Sequence, residues 1–463
     1  MDASVKNVVI VGGGFAGTTA AKALQHRLPK DYRVVMISEE SYTTFNPMLP
    51  EAVGASIFPE QVVAPLRQVL DVQMGSRFIM GSVTAIDTVK RILTCTTLAG
   101  ATEISYEHLI CAYGNRARLD FIPGMAEHAL PLKTIGDAME IRNRVLRRLA
   151  QIELESDPAK RATLGHFVVI GGGFSGVEVA GELVDCLASV RRYYPGVTTC
   201  NLRVTVVQDA DRLLLELPAS LGKAAQCSLK ARGVTVQLGA RASEILPDGV
   251  RLMNGDVLNA ATVICTIGTK ANILTETIGL PVERGRIVVR PDLSIADRPG
   301  LWAIGDCALA MNAYNNQPSP PTAQFAVRQA RLLADNLLRL IAGKPTAGFR
   351  YRSRGMMAAI GHMKGVAEIF GIPISGLPAW MLWRAYYLAQ MPTLGRKVRI
   401  FVEWTWGMFF PVDITHMRFT RSRDQENLSQ LTDAVPGIPG ATNAVPAKVI
   451  NASSAVKTDC AAQ

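Results

Sequence analysis

The chain has 463 residues, enough for two or three domains with their own cores. Its 48% apolar and 19% charged residues exclude a wholly disordered or collagen-like chain. A formal net charge of +10 suits nucleic acid, an anionic membrane surface or acidic cofactors. No nucleic-acid reader pattern accompanies it, and with a mean hydropathy of +0.18 the membrane surface is the better reading.

Residues 1–6 run straight into an apolar strand at 7–11, which leaves no room for a presequence. Gly12-Gly13-Gly14-Phe15-Ala16-Gly17 follows, then a helix through about residue 28 and a second strand at 33–37. The stretch 106–113 reads as a buried strand ending on Gly114, 142–155 as a charged helix and 157–162 as a loop. The opening arrangement then recurs 159 positions on. A strand at 166–170 meets Gly171-Gly172-Gly173-Phe174-Ser175-Gly176, then a helix through about residue 192 and a strand at 202–207. Buried strands at 261–267, ending on Gly268, and at 301–305, ending on Gly305-Asp306, come next.

Pro318, Pro320 and Pro321 introduce a helix at about 322–341 with a 3.6-residue apolar face. Residues 378–391 are apolar nearly all round but too short to span ~30 Å of hydrocarbon. In 396–410, Arg396, Arg399 and Glu403 share a helical stripe, while Val398, Ile400, Val402 and Trp404 alternate as in a strand, so either element fits. Residues 425–463 are rich in Ala, Ser, Pro, Asn and Thr without periodicity and read as a disordered tail.

Each glycine fingerprint lies between a strand and a helix, the context in which backbone N–H groups approach a pyrophosphate at a helix N-terminus. Two such turns imply two dinucleotides, as in a flavoprotein that takes electrons from a nicotinamide. An acidic residue after the second strand of such a unit holds the adenosine ribose. Glu39 is the choice in the first unit, with Ser38 beside it. Asp306, after Gly305 at a strand end, suits a ribityl hydroxyl. The eight cysteines include no CxxC pair, which argues against a disulfide framework. The stretch 39–59 has none, which argues against a disulfide reductase. Cys307 reads as a small packed side chain. No metal site is expected.

On these features the chain resembles the two-dinucleotide-binding flavoprotein superfamily and, within it, the type II NADH:quinone oxidoreductases. The resemblance covers about residues 7–418. It is carried most specifically by Tyr42 to Glu51 around Pro47, Ile122-Pro123-Gly124, Gly176 to Leu183 around Glu178, and Pro321 to Gln329. It implies an α/β chain with two Rossmann-like, glutathione-reductase-like domains and a C-terminal membrane-associating segment. The FAD domain would comprise 1–125 and 283–345, the NAD(P)H domain 126–282, and the membrane-associating region 346–424 with contact near 375–410.

The resemblance further implies FAD at Gly12, Gly13, Gly14, Phe15, Gly17, Ser38, Glu39, Pro47, Gly114, Asp306, Ala323 and Gln324. NAD(P)H would lie at Gly171, Gly173, Phe174, Gly176, Glu178, Gln208 and Gly268. Glu178 would assist proton delivery, and Gln324 would face flavin and quinone. The enzyme would be peripheral on the cytoplasmic face of the cell inner membrane and reduce a membrane quinone without pumping protons; its oligomeric state, with a homodimer as one option, stays open. Gln208 departs from the glutamate of NADH-specific relatives. It can donate to a 2′-phosphate, with Arg212 nearby, so NADPH use is expected beside NADH unless Asp209 takes the ribose role. Two alternatives stay open: a sulfide:quinone oxidoreductase, disfavoured by the lack of cysteines in the fingerprints, and a flavin-holding redox sensor. The aromatic C-terminal segment also fits a dimer interface or a buried core helix.

Overall fold

The computed structural model describes residues 5–73 and 75–417. The expected tail at 425–463 lies outside them. β1 (Lys6–Val11) is buried from Val8 onward, as a central parallel strand covered on both faces must be. It leads through the first glycine turn into α1 (Phe15–Leu24) and returns as β2 (Tyr32–Ser38). α1 ends four residues earlier than its sequence pattern suggests. A short α2 (Leu49–Val53) precedes β3 (Arg77–Asp87), β4 (Ile92–Thr97), β5 (Gly100–Ser105) and β6 (His108–Cys111). The sheet order is Leu301–Ala303, β6, β1, β2, β3, β4, β5. Its first five strands are parallel and the last two antiparallel. A strand from beyond residue 300 thus completes the sheet begun by residue 6.

β7 (Ala129–Pro131) leads to α3 (Ile135–Leu154). This helix begins two turns before the expected residue 142, because Thr134 and Asp137 form a reciprocal capping box. The expected loop at 157–162 is instead a helix, α4 (Pro158–Leu164). Asp157 accepts the Ala159 N–H as N-cap and Pro158 takes the first helical position, both strong helix-start signals. β8 (His166–Ile170), α5 (Phe174–Val190), β9 (Arg203–Val207), β10 (Val234–Gln237) and β11 (Thr262–Cys265) follow. They build an all-parallel sheet in the order β7, β11, β8, β9, β10.

β12 (Leu301–Ala303) joins the first sheet, and α6 (Ala323–Ile341) buries Ala330, Leu333, Ala334 and Leu337 in its core. A three-stranded antiparallel meander then appears that periodicity did not separate: β13 (Gly355–Ala359), β14 (Gly365–Ile369) and β15 (Ile372–Ser375). α7 (Leu377–Gln390) and α8 (Leu394–Gly407) close the described chain. The ambiguous 396–410 segment is helical. Ile400 and Trp404, four apart, enter the core around α5, while Val398, Phe401, Val402 and Trp406 are exposed. The pair is therefore core on one face and exposed apolar surface on the other. Among the described residues, no helix is long and apolar enough to cross a membrane.

Candidate active site

The two glycine turns are built alike. Gly12 has φ +114° and Gly171 φ +107°, and a Cβ at Gly12 would lie 2.4 Å from the Ala112 carbonyl oxygen. The last glycine of each turn sits where its helix crosses the first, with room for no side chain: a Cβ would lie 1.9 Å (Gly17) or 1.8 Å (Gly176) from that glycine's oxygen. Gly14 and Gly173 are the N-caps of α1 and α5, neither helix has a side-chain cap, and the space beside both glycines is open. The first-turn amides, with Phe15 and Phe174 leading each helix, are thus left for an anion.

Strand register extends the likeness. Ile37 lies opposite Val11 and Val207 opposite Ile170, so Ser38 and Gln208 occupy equivalent places, followed by Glu39 and Asp209. Ser38 lies against Gly13. Gln208 is buried, and its Oε1 accepts the Gly172 N–H at 2.8 Å. Glu39 stands outside the turn: Arg116 and the Ser82 hydroxyl both reach its Oε1 at 2.9 Å. Arg212, the expected nearby cation, spends its guanidinium on the carbonyls of Leu214, Leu215 and Leu217.

Gly305 (φ +72°) turns the chain after β12 and presents Asp306. No described residue donates a hydrogen bond to that carboxylate. Burial pushes its pKa up, against the pull of the Lys133 and Arg286 cations. Gln329, which the residue patterns did not single out, fixes this turn: it is buried in α6 and its Oε1 accepts the Gly305 N–H at 2.8 Å. Cys307 is buried, as expected of a packing thiol. Gly114 (φ +67°) and Gly268 (φ +80°) end their strands in equivalent left-handed turns. A cavity of about 170 Å³ opens between the two halves, lined by Asn46, Pro50, Lys133, Ser175, Thr266 and Gly268. Pro47 lies in the adjoining turn Asn46–Met48.

Ala323 opens α6 behind Thr322, whose side chain does not cap the helix. Gln324 is held at both ends of its amide. Its Nε2 donates to the Gly355 carbonyl at 3.2 Å, and the Ser353 hydroxyl donates to its Oε1 at 3.1 Å. An aromatic series links the first turn to the C-terminal helices. Ring centroids lie 5.2 Å apart for Phe15–Phe45, 5.7 Å for Phe45–Tyr387 and 4.7 Å for Tyr387–Trp383.

Glu178 is buried on α5 and accepts the Ala359 N–H at 3.1 Å. Burial holds its carboxyl well above the usual range. Two further buried carboxyls lie near it that motif reading did not assign. Glu51 accepts Trp404 Nε1 at 3.0 Å and faces Arg384 at 3.7 Å. Glu182 lies one turn beyond Glu178, its carboxyl pushed up to about 8 by burial and by Glu51. The pattern of glutamates at 178 and 182 was visible in the sequence; their common burial was not, because α2, α7 and α8 cover them from distant parts of the chain.

Residues 6–330 match the family model described as pyridine nucleotide-disulphide oxidoreductase. The chain is 30% identical over 418 residues to a type II NADH:quinone oxidoreductase of Mycobacterium tuberculosis, covering 86% of this chain and 87% of that one. It is 29% identical to the type II NADH:quinone oxidoreductase of Staphylococcus aureus, covering 81% and 92% respectively. The NDH2 structure from Plasmodium falciparum in complex with NADH superposes with a TM-score of 0.83 at 18% identity, covering 89% of this chain and all of that one.

Proposed function

Because the chain belongs to the pyridine nucleotide-disulphide oxidoreductase family and, within it, to the type II NADH:quinone oxidoreductases, we propose that it oxidises NADH with FAD and passes the electrons to a membrane quinone without pumping protons. The observation that carries this reading is the pair of matched glycine turns, each presenting an uncapped helix N-terminus, in the two halves that meet at one cavity. FAD, when bound, supplies a carrier that takes two electrons as hydride and gives them to quinone.

The residues fit FAD in the first unit. Gly12, Gly13, Gly14, Phe15 and Gly17 leave backbone amides and open space for its pyrophosphate. Ser38 and Glu39 stand at the ribose end, with Ser38 the nearer to the turn. Asp306, to which no described residue donates, takes a ribityl hydroxyl, and Pro47, Gly114, Ala323 and Gln324 complete the enclosure. This assigns FAD to 1–125 with 283–345. NADH belongs to 126–282, at Gly171, Gly173, Phe174, Gly176, Gln208 and Gly268, with Glu178 between the two cofactors. Gln208 spends its oxygen on Gly172, so its amide N–H₂ faces the ribose end and tolerates a 2′-phosphate where a carboxylate would repel it. NADPH is therefore a second donor, weaker than NADH.

Burial favours the protonated form of Glu178, which delivers its proton at its carboxyl oxygen during quinone reduction. Gln324, fixed at both ends, presents a rigid edge to the quinone. The ring series Phe15, Phe45, Tyr387 and Trp383 gives the quinone an apolar surface between the first turn and α7. Met381, Leu394, Val398, Phe401, Trp406 and Phe409 are each more than half exposed. They bury in the acyl–headgroup boundary of the inner membrane on its cytoplasmic face. Arg399 is exposed toward lipid, whereas Arg396 is already bonded to Glu60 and Gln61.

Flotation with anionic liposomes tests the membrane assignment. The protein rises with the vesicles, whereas a wholly soluble dimer would assign the same apolar face to a second copy. Quinone-dependent NADH oxidation tests the activity. Oxidation unaffected by added quinone would favour the redox-sensor reading.

A further inference from the structure

Glu178, Glu182 and Asp185 stand at i, i+4 and i+7 of α5, so they form one stripe along the helix. Exposure grows along it: Glu178 and Glu182 are buried, and the Asp185 side chain is 24% exposed. Asp185 accepts from Arg232 at 2.7 Å and from the His362 N–H at 2.6 Å, and His362 is an exposed residue. The stripe thus runs from the reaction region to solvent.

Ser56 Oγ lies 2.8 Å from Glu182 Oε2 and 3.0 Å from the Glu51 carbonyl oxygen. A serine has one proton to donate, and the carbonyl can only accept. That proton goes to Glu182 Oε2, where it favours the charged form, and the Glu51 carbonyl is served by the Ser56 backbone N–H at 3.0 Å. Charge counting puts a proton on the stripe. Glu178, Glu182 and Glu51 are buried together, and among the described residues Arg384 is the one cation against Glu51 and Glu182. Arg232 is committed to Asp185, and Arg142 pairs with Asp413 at 3.5 Å. Glu403, from α8, adds a further carboxyl on the Glu51 side, accepting the Phe58 N–H. One cation cannot balance three buried carboxylates, so the surplus is met by protonation.

We propose that Glu182 is the proton reservoir behind Glu178: it passes its proton to the Glu178 carboxylate after each delivery and is reprotonated from solvent past Asp185. In each cycle the Glu182 O–H bond breaks, an O–H bond forms on Glu178, and one proton enters from water; no electrons move. This rests on the proton role given to Glu178 under the proposed function.

The test uses the FAD-bound full chain with Glu182→Gln, Glu182→Asp and Asp185→Asn. The first readout needs no turnover. A carboxyl raised to about 8 binds a proton that the unfolded chain releases near its ordinary value, so it stabilises the fold below that value and loses this stabilisation as pH rises to about 8. Wild-type Tm therefore falls from pH ~5 to ~8, and Glu182→Gln, which cannot titrate, flattens that slope. The second readout is stopped-flow with NADH and then a short-chain benzoquinone. Glu182→Gln leaves flavin reduction unchanged and slows reoxidation by about tenfold or more. Glu182→Asp restores most of the rate, and Asp185→Asn gives a milder loss that grows with pH. A Tm–pH slope unchanged in Glu182→Gln, or full-speed reoxidation in it, overturns the reservoir. Absence of quinone reoxidation in the wild type would instead sink the proposed function, while the Tm slope would still report the protonated carboxyl.

Discussion

Arg384 is the most informative single residue to remove. Its guanidinium lies 3.7 Å from the Trp380 ring centroid and 4.8 Å from that of Trp404, with Glu51 at 3.7 Å. Arg384→Met keeps most of the stem and removes the charge. Two cation–π contacts together contribute about 1–3 kcal/mol, a loss that does not depend on pH. Losing the ion pair does depend on pH. Without the cation, the Glu51 carboxyl rises further above its ordinary value, because burial already raises it and Arg384 was the main restraint. A carboxyl raised in the folded state costs nothing below its unfolded pKa of about 4.3 and destabilises progressively above it, by about 1.4 kcal/mol per unit of added shift. The deficit should therefore be about 1–3 kcal/mol at pH ~5 and reach about 3–5 kcal/mol at pH ~8, the range for breaking a buried pair. Urea unfolding of the FAD-bound protein at the two pH values, followed by circular dichroism and flavin release, measures both. Arg384→Lys, which keeps the charge, should show a deficit that barely changes with pH. A deficit in Arg384→Met that is equal at both pH values, or smaller at the higher, would refute the burial of Glu51 as the cause.

Asp306→Ala should purify with much less flavin, and full occupancy in that variant would remove Asp306 from the FAD site. Gln324→Ala should slow reoxidation by quinone more than reduction by NADH; stopped-flow traces altered only in the reductive half would end its quinone role. Gln208→Glu should lower kcat/KM for NADPH relative to NADH by about tenfold, one misplaced anion's worth of discrimination; an unchanged ratio would assign the choice elsewhere. Phe401→Ser with Trp406→Ser, both on the exposed face of α8, should weaken liposome binding without loss of folding. High salt alone should release the wild type only partly, because aromatic burial persists when Arg399 is screened.

Deleting 375–410 outright would not be a clean membrane test. Trp380, Trp383, Ile400 and Trp404 are buried in the core of the second half. The sequence of this region shows aromatic, apolar helices, but two destinations compete for such residues, and only the positions of α5 and α2 decide which side faces inward. The glycine turns were legible because their chemistry is local: strand, turn and helix carry the whole signal within about a dozen residues. The helix at 158–164 is also locally encoded, by Asp157 and Pro158, although its polar composition resembles a loop. Gln329, Lys133 and the Glu51–Glu182 pairing could not be read the same way, because each depends on a contact between segments far apart in sequence. Gln329 reaches Gly305 across 24 residues, and Trp404 reaches Glu51 across 353.

One chain takes electrons from a nicotinamide and gives them to a quinone in two separable steps. Anaerobic mixing of the purified yellow protein with one equivalent of NADH, followed by one equivalent of a short-chain benzoquinone, tests it most directly. The oxidised flavin band should bleach on the first addition and return in full on the second. Flavin that stays oxidised with NADH, or that bleaches and is not reoxidised by the quinone, would contradict it.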